Sequence, residues 1–313
     1  TIMHFSKQHQ YYTLNDFLQK RFQSKVFKVA LNGNFSCPNR DGTLDNKGCL
    51  FCSEKGSGDF AGQVSDSITV QFQQIKSMMH SKWKKAKYIA YFQANTNTYA
   101  PIKKLRSLFE EAIRCDKDIV AISIATRPDC LGEDIIDYLS HLNTEIPVWI
   151  ELGLQTAHEK TAKWINRHYS LDIFEDAVKR LRNHNIERIV HIINGFPNES
   201  FNDMIDTIKY LNLFDIQGIK IHSLYLLEGT RIGKIYQAKP FNIMSLDAYT
   251  DLVSLQLAYL KPSVVVHRIS GDAPKEALIE PKWSLKKFVV MNEIDKKMKT
   301  LNLFQGCYYK KSE

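Results

Sequence analysis

The feature that most constrains the fold is a regular alternation of short, β-rich apolar segments with longer segments of helical periodicity. The apolar segments predict strands buried on both faces, because apolar residues in them are nearly continuous. They lie at residues 26–31, 87–92, 119–126, 148–155, 188–194, 216–225 and 263–270. Helices are predicted at residues 65–83, 101–114, 172–184, 201–214, 246–260 and 283–301.

This order of elements predicts an α/β fold with a parallel sheet and right-handed crossovers. Six or seven units are fewer than the eight of a closed barrel. We therefore expect a partial, open barrel with its active site at the carboxyl ends of the strands. Residues 1–22 are expected to form an N-terminal extension, 23–275 the core barrel, and 276–313 a C-terminal helix and basic tail packed on the core.

Composition places the chain among ordinary globular proteins, with 44% apolar and 24% charged residues. No apolar run approaches the roughly 18–20 residues of a membrane span, and residues 1–22 show no signal-peptide pattern. We expect a cytoplasmic protein without a membrane partner. The formal net charge of +8 favours polyanionic partners, although a basic but otherwise ordinary enzyme fits it equally well.

Three of the six cysteines, Cys37, Cys49 and Cys52, follow the first predicted strand with the spacing C-x11-C-x2-C. Without a secretory signal, such a cluster indicates metal binding before disulfides. Iron–sulfur clusters normally take four thiolates. Three would leave one iron open, and open coordination sites are where metal centres react. The alternatives are zinc, which lacks a fourth ligand at finger-like distance, and unligated cysteines.

The segment KVALNGNFSCPNRDGTLDNKGCLFC (28–52) resembles the cluster loop of radical S-adenosylmethionine (SAM) enzymes. It is most similar to the YtqA/YhcC-type family, whose spacing departs from the commoner C-x3-C-x2-C. The similarity covers roughly residues 20–295. It is carried by GSGDFAG (56–62), YFQANTNTYAP (91–101), SIATRPDCL (123–131), ELGLQT (151–156), HIINGFP (191–197), QGIKIH (217–222) and HRISGDAP (267–274).

The resemblance implies a partial, open (β/α)6 TIM-like barrel of the radical SAM type. It also implies a [4Fe–4S] cluster on Cys37, Cys49 and Cys52, whose open iron is chelated by SAM. One electron, from an external donor such as flavodoxin or ferredoxin, would cleave SAM to methionine and a 5′-deoxyadenosyl radical. The cofactors carry this chemistry, and the protein positions and shields them.

The resemblance further implies residues that contact SAM. Phe51 is expected near the adenine. Gln93 and Asn95 are expected to receive the methionine amino group, because no Gly-Gly-Glu-type sequence follows this strand; a turn-forming role is the alternative.

The segment ELGLQT (151–156) resembles a strand of oxygen-independent coproporphyrinogen oxidases and of the elongator acetyltransferase subunit, where the Gln contacts the SAM ribose. Glu151 and Gln155 share a strand face, and an acid there is costly unless paired or ligand-bound. In the coproporphyrinogen oxidases an Arg at this place binds the SAM carboxylate, so the resemblance implies that role for Arg167, whose planar set of donors suits it. His191 stands where those relatives have a ribose-binding Asp. A surface role for the Arg and a core role for the His are the alternatives.

The late strand ends carry the substrate-side candidates, although no residue is assigned a catalytic role. Arg127 is either a substrate clamp or part of a turn salt bridge. The other candidates are His222, Tyr225, Arg268 and Asp272, and a structural role for each is the alternative.

The resemblance suggests an MnmL-like enzyme that converts the 5-carboxymethylaminomethyl group of a tRNA wobble uridine to 5-aminomethyl, with carbon–nitrogen cleavage. Lysine-rich stretches at 82–87 and 286–311 suit an RNA partner, although solvated helix faces explain most such runs. One alternative is a radical SAM enzyme for a small molecule such as a tetrapyrrole or metabolite. The other is a non-enzymatic, metal-containing RNA-binding protein. The sequence gives no oligomeric state.

Overall fold

A computed structural model of the chain describes residues 8–56, 58, 60–80 and 82–310. Its strands are β1 (Val26–Leu31), β2 (Lys87–Phe92), β3 (Ile119–Thr126), β4 (Val148–Gln155), β5 (Glu187–Asn194), β6 (Gly218–Ser223), β7 (Leu226–Leu227), β8 (Val265–Arg268) and β9 (Leu278–Glu280). Its helices are α1 (Leu14–Phe22), α2 (Ile68–His80), α3 (Ile102–Arg114), α4 (Glu133–Glu145), α5 (Glu159–Trp164), α6 (Leu171–Asn183), α7 (Phe201–Leu211), α8 (Arg231–Ala238), α9 (Leu246–Tyr259) and α10 (Lys287–Thr300).

The main sheet has seven strands in the order β1-β2-β3-β4-β5-β6-β8, and every neighbouring pair is parallel. This architecture confirms the predicted α/β fold and partial barrel. The predicted strand at 216–225 is shorter, because the chain leaves the sheet after Ser223 and β7 pairs antiparallel with β9. The predicted helix at 283–301 begins at Lys287, after a short 3₁₀ turn. The sequence patterns did not predict α1, α4, α5 and α8.

Side-chain caps fix where several helices begin. Thr13, Ser200 and Ser245 each accept a hydrogen bond from a backbone N–H in the first turn of α1, α7 and α9. At α7 the Asp203 side chain also accepts from the Ser200 N–H, which completes a capping box. Such contacts satisfy N–H groups that have no partner within the helix.

The apolar core has an outer and an inner part. The outer part lies between the sheet and the surrounding helices. The inner part fills the barrel near the amino ends of the strands, where Leu18 of α1 packs against side chains from five strands. These are Val26, Ile89, Ala121, Trp149 and Ile189. Helix α1 therefore closes one end of the barrel and leaves the carboxyl end for a site.

The chain before α1 also covers an edge of the sheet. Thr13 forms a parallel bridge with Val266 of β8, and the Val266 N–H donates to the Tyr12 carbonyl at 2.8 Å. Gln305 accepts from the Tyr12 N–H at 2.8 Å and so connects the segment before α1 with the segment after α10. No helix in the described ranges combines the length and apolar character needed to cross a bilayer.

Candidate active site

A cavity of about 420 Å³ lies at the carboxyl ends of the strands and extends into the barrel. Its size is within the range of roughly 300–1,000 Å³ typical of ligand pockets. The sequence predicted a site at this edge. The walls come from β1 to β6, β8 and the cysteine loop, and Leu14 of α1 also contributes.

All three clustered cysteines, Cys37, Cys49 and Cys52, line this cavity. The described residues between β1 and α2 form turns and coil rather than helix or strand. Asn39 holds the loop, because its amide donates to the Asn166 carbonyl at 2.6 Å and to the Cys49 sulfur at 3.4 Å. The loop therefore turns its sulfur atoms toward the space enclosed by the strands.

Two polar residues inside the loop contact the cysteine sulfurs. Besides Asn39, the Arg40 guanidinium donates to the Cys52 sulfur at 3.7 Å and to the Ser53 carbonyl at 2.9 Å. Hydrogen bonds to sulfur are one means by which proteins tune iron–sulfur clusters. Sequence reasoning missed Asn39 and Arg40, although their position between the predicted ligands was a usable signal.

Asn166 anchors the loop from the other side of the cavity. Its backbone is left-handed, with φ of 64°. Its amide donates to an Asp45 carboxylate oxygen at 2.9 Å and to the Gly48 carbonyl at 2.8 Å. The hydrogen bond from Asn166 lowers the pKa of Asp45 to about 2, so the carboxylate stays charged and the contact persists at neutral pH.

The donor set fits an iron–sulfur cluster. Burial, followed by the neighbouring Cys52, raises the pKa of the Cys49 thiol to about 12, so iron must displace a proton to bind there. Among the described residues, no three His, Cys, Asp or Glu side chains converge as they would around a single metal ion. In a cluster each thiolate binds a different iron, so its ligands need not meet at one point.

The barrel interior beyond the cysteines holds a buried ion network centred on Glu151 of β4, whose side chain is fully buried. One Glu151 oxygen accepts from Lys28 Nζ at 2.9 Å and lies 2.7 Å from Lys220 Nζ. Lys220 also donates to the Tyr91 hydroxyl at 2.9 Å. Burial opposes ionisation of Glu151, but Lys220 and Lys28 outweigh it and hold its pKa well below the usual range.

The histidines beside this network are neutral. Burial, reinforced by Lys220, lowers the pKa of His191 to about 4. Burial also holds the pKa values of His222 and His267 well below the usual range, helped by Arg268 and Lys28 respectively. The His191 and His222 rings lie 5.3 Å apart. These rings therefore offer hydrogen-bonding groups without adding positive charge.

Four residues predicted to contact SAM line the cavity near the cysteines: Phe51, Gln93, Asn95 and Gln155. Gln155 and Asn95 have left-handed backbones, with φ of 68° and 61°. Such conformations are uncommon outside glycine and concentrate at functional sites. The Phe51 ring lies 6.3 Å from that of Phe196, so it is also part of a small apolar cluster.

Two further predicted SAM ligands have protein partners. Glu151 is engaged by the lysines, and Arg167 is buried rather than on the surface. The Arg167 guanidinium donates to the carbonyls of Leu154 and Thr156 at 2.9 Å and of Tyr169 at 3.0 Å. Most of its donors are therefore satisfied within the protein, although both residues line the cavity, as does His191.

Arg127 forms the turn salt bridge that the sequence offered as one of two roles. Its guanidinium donates to both carboxylate oxygens of Asp129, at 2.9 and 2.8 Å, and to the Arg167 carbonyl at 2.9 Å. It also lines the cavity. The four substrate-side candidates, His222, Tyr225, Arg268 and Asp272, line the same cavity.

Lys28 and Lys220 are the residues that sequence reasoning missed most clearly. Each is the single lysine of its strand and stands between apolar residues, at a position that alternation places inside the barrel. Glu151 showed the same signal with the opposite charge. An isolated lysine and an isolated acid in strands of one sheet predict a buried ion pair.

Two models of known protein families match the chain. The model described as "Radical SAM superfamily" matches residues 46–211, and that described as "Radical_SAM C-terminal domain" matches residues 216–300. The chain belongs to the radical SAM superfamily. It is therefore a radical SAM enzyme, and its cofactors are a [4Fe–4S] cluster and SAM, which confirms both expectations. Enzymes of this superfamily also require an electron donor.

Similar proteins span the chain. It is 49% identical to the uncharacterized protein YtqA of Bacillus subtilis (strain 168) over 304 residues, which are 97% of this chain and 94% of that protein. Protein YhcC of Escherichia coli (strain K12) is 34% identical over 280 residues, 89% of each chain. The solved structure of Methanocaldococcus infernus Elp3 with an N-terminal deletion has a TM-score of 0.66 at 17% identity. The match covers 90% of this chain and 64% of the Elp3 chain. At this identity the likeness shows the fold alone.

Proposed function

We propose that this radical SAM enzyme converts the 5-carboxymethylaminomethyl group of a tRNA wobble uridine to 5-aminomethyl by breaking a carbon–nitrogen bond. In this proposal Cys37, Cys49 and Cys52 hold the cluster. When bound, the cluster and SAM would supply a 5′-deoxyadenosyl radical that removes a hydrogen atom from the glycine-like methylene. Loss of one electron from the resulting carbon radical to an electron-carrier protein would give an imine, and hydrolysis of the imine by water would release glyoxylate and leave the 5-aminomethyl amine. A flavodoxin or ferredoxin is the proposed electron donor.

The observation that carries the proposal is that one cavity joins the three cysteines to the polar barrel interior. A volume of about 420 Å³ admits ligands of cofactor and nucleotide size but no folded RNA. An RNA substrate would therefore present a single extruded nucleotide, as enzymes that modify bases commonly require. The wobble base belongs to a single-stranded loop, where extrusion costs least.

The chain's own residues bind, orient and exclude water. Phe51, Gln93, Asn95 and Gln155 are the proposed SAM contacts, because they line the cavity beside the cysteines. Arg167 and His191 are proposed to support the same ligand from the cavity wall. We assign Glu151 an indirect role, since its carboxylate fixes two lysines instead of facing a ligand freely.

An exposed surface patch supports an RNA partner. Lys286, Lys287 and Phe288, which we call the α10 patch, are exposed at the start of α10, and the Phe288 side chain is 76% exposed. Lys287 Nζ lies 3.8 Å from a carboxylate oxygen of Asp272, a cavity residue. The patch therefore adjoins the cavity and offers cations for phosphates and a ring for stacking.

The other lysine-rich stretch lies elsewhere. Lys82, Lys84 and Lys85 are exposed in the turn between α2 and β2, at the amino end of the strand. The cavity lies at the opposite, carboxyl ends. We therefore assign the RNA contact to the α10 patch; Lys311 of the tail lies outside the described residues.

The decisive experiment uses anaerobically reconstituted enzyme and tRNA carrying 5-carboxymethylaminomethyluridine, with deuterium on the glycine-like methylene. Mass spectrometry is expected to find deuterium in 5′-deoxyadenosine and 5-aminomethyluridine in the tRNA. A Cys52→Ser variant, which lacks one cluster ligand, is the control and should give neither product. Deuterium that never reaches 5′-deoxyadenosine would refute the proposed hydrogen abstraction.

One other function is an outcome of a companion measurement. An enzyme that shows the EPR change of the reduced cluster on SAM addition but turns over no tRNA would act on a small molecule, such as a tetrapyrrole or metabolite. Turnover of the defined tRNA would contradict that alternative. The other alternative, a non-enzymatic RNA-binding protein with a structural metal, is excluded because the chain belongs to the radical SAM superfamily.

A further inference from the structure

The cavity interior is lined by more basic than acidic side chains. Lys28 and Lys220 share the single carboxylate of Glu151. Arg268 of β8 lines the same cavity and adds another cation. The adjacent histidines are neutral, so they neither add to this charge nor cancel it.

Arg268 differs from the other arginines that line the cavity. Arg127 is satisfied by Asp129, Arg167 by backbone carbonyls, and Arg40 by the Ser53 carbonyl. Within the described part of the chain, no residue accepts a hydrogen bond from the Arg268 guanidinium or forms an ion pair with it. Its planar set of donors is therefore available to a ligand.

The two acids that line the cavity, Glu151 and Asp272, do not neutralise Arg268. Glu151 already accepts from both lysines. Asp272 lines the cavity, but its carboxylate is 44% exposed and lies 3.8 Å from Lys287. A guanidinium in a partly buried cavity without a counter-ion gains most from an anion that accepts two parallel hydrogen bonds, as a carboxylate does.

We infer that Arg268 binds the carboxylate of the substrate's carboxymethylaminomethyl group; this rests on the proposed function. Only one bond separates that carboxylate from the methylene that loses hydrogen. Holding it on a rigid strand therefore fixes the reacting carbon relative to the cofactors. The 5-aminomethyl product has no carboxylate, so it loses this contact when the carbon–nitrogen bond breaks.

The test compares two anticodon stem-loop RNAs, one with the carboxymethylaminomethyl group and one with its neutral carboxamide analogue. Fluorescence anisotropy measures binding to the SAM-loaded enzyme, and 5′-deoxyadenosine formation measures turnover. Wild-type enzyme is expected to bind the carboxylate RNA about 10–100-fold more tightly, the range for a charged hydrogen-bonded pair. Arg268→Gln should abolish this preference and leave carboxamide binding nearly unchanged, whereas Arg268→Lys should retain part of it.

Arg180→Gln is the matched control. Arg180 pairs with Asp176 at 2.7 Å outside the cavity, so its replacement should leave the preference intact. Circular dichroism and iron content of each variant report whether it folds and loads its cluster.

Each outcome decides the inference. Equal weakening of both RNAs by Arg268→Gln would assign the residue to an RNA phosphate and overturn the carboxylate contact, as would an unchanged preference. If wild-type enzyme prefers the carboxylate RNA but turns over neither, the proposed reaction fails while the binding inference stands. If wild-type enzyme turns over the carboxylate RNA but binds both RNAs equally, the inference fails while the reaction stands.

Discussion

Replacing Glu151 by Gln should destabilise the protein strongly. The side chain is fully buried, and its oxygens lie 2.9 Å from Lys28 Nζ and 2.7 Å from Lys220 Nζ. A neutral amide keeps the shape but removes the charge that both lysines need. Removing one partner of a buried ion pair typically costs about 3–5 kcal/mol, because the remaining charge is left uncompensated.

Most of the lost stability should come from the more buried of the two lysines. The Lys220 side chain is only 6% exposed, whereas that of Lys28 is 16% exposed and reaches water more easily. The double variant Glu151→Gln/Lys220→Met removes the more buried cation as well. It should recover at least half of the lost stability, since a buried ion pair replaced by uncharged groups is often nearly neutral in cost.

Thermal unfolding of the reconstituted enzyme under anaerobic conditions measures the effect. At about 2 °C for each kcal/mol, Glu151→Gln should lower the midpoint by about 6–10 °C. Glu110→Gln is the control, because Glu110 pairs on the surface with Arg114, whose side chain is 61% exposed. Such pairs contribute about 0–1 kcal/mol. A midpoint shift for Glu151→Gln no larger than that of this control would refute the buried network.

Three further predictions concern the cluster, the histidines and the α10 patch. Cys49→Ser should lose most bound iron on reconstitution, whereas Cys307→Ser, outside the cavity lining, should keep it. His191 has a pKa of about 4 against 6.5 unfolded, so the unfolded chain takes up the proton first and stability falls as pH drops from 6.5 towards 4. His191→Gln should therefore remove about 2 kcal/mol of acid destabilisation between pH 7 and pH 5, measured by equilibrium unfolding. Lys286→Ala/Phe288→Ala should weaken RNA binding by about 1–3 kcal/mol and leave SAM binding unchanged. It should also reduce the slope of log binding constant against log salt concentration by about one.

The strands were predictable because continuous apolar runs mark strands covered on both faces. The edge that carries the site followed from parallel topology, which brings residues as distant as Phe51 and Arg268 to one cavity. Local patterns therefore sufficed for the architecture and for which strand ends would meet.

Contacts between side chains on opposite sides of the barrel were not predictable from local sequence patterns. The contacts of Glu151 with Lys28 and Lys220 depend on the register of three strands that are not neighbours. The backbone acceptors of Arg167 depend on how the chain turns after β4. The two lysine-rich stretches look alike in sequence, and only the direction of β2 shows that one lies away from the cavity.

The bridge between Thr13 and Val266 bears on the protein's solubility during synthesis and purification. An open barrel, unlike a closed one, has a terminal strand whose unpaired N–H and C=O groups can recruit a strand from another molecule. Here the backbone of the residues just before α1 pairs with the free edge of β8. A shortened chain that begins at α1 would keep every cavity residue and still be prone to self-association.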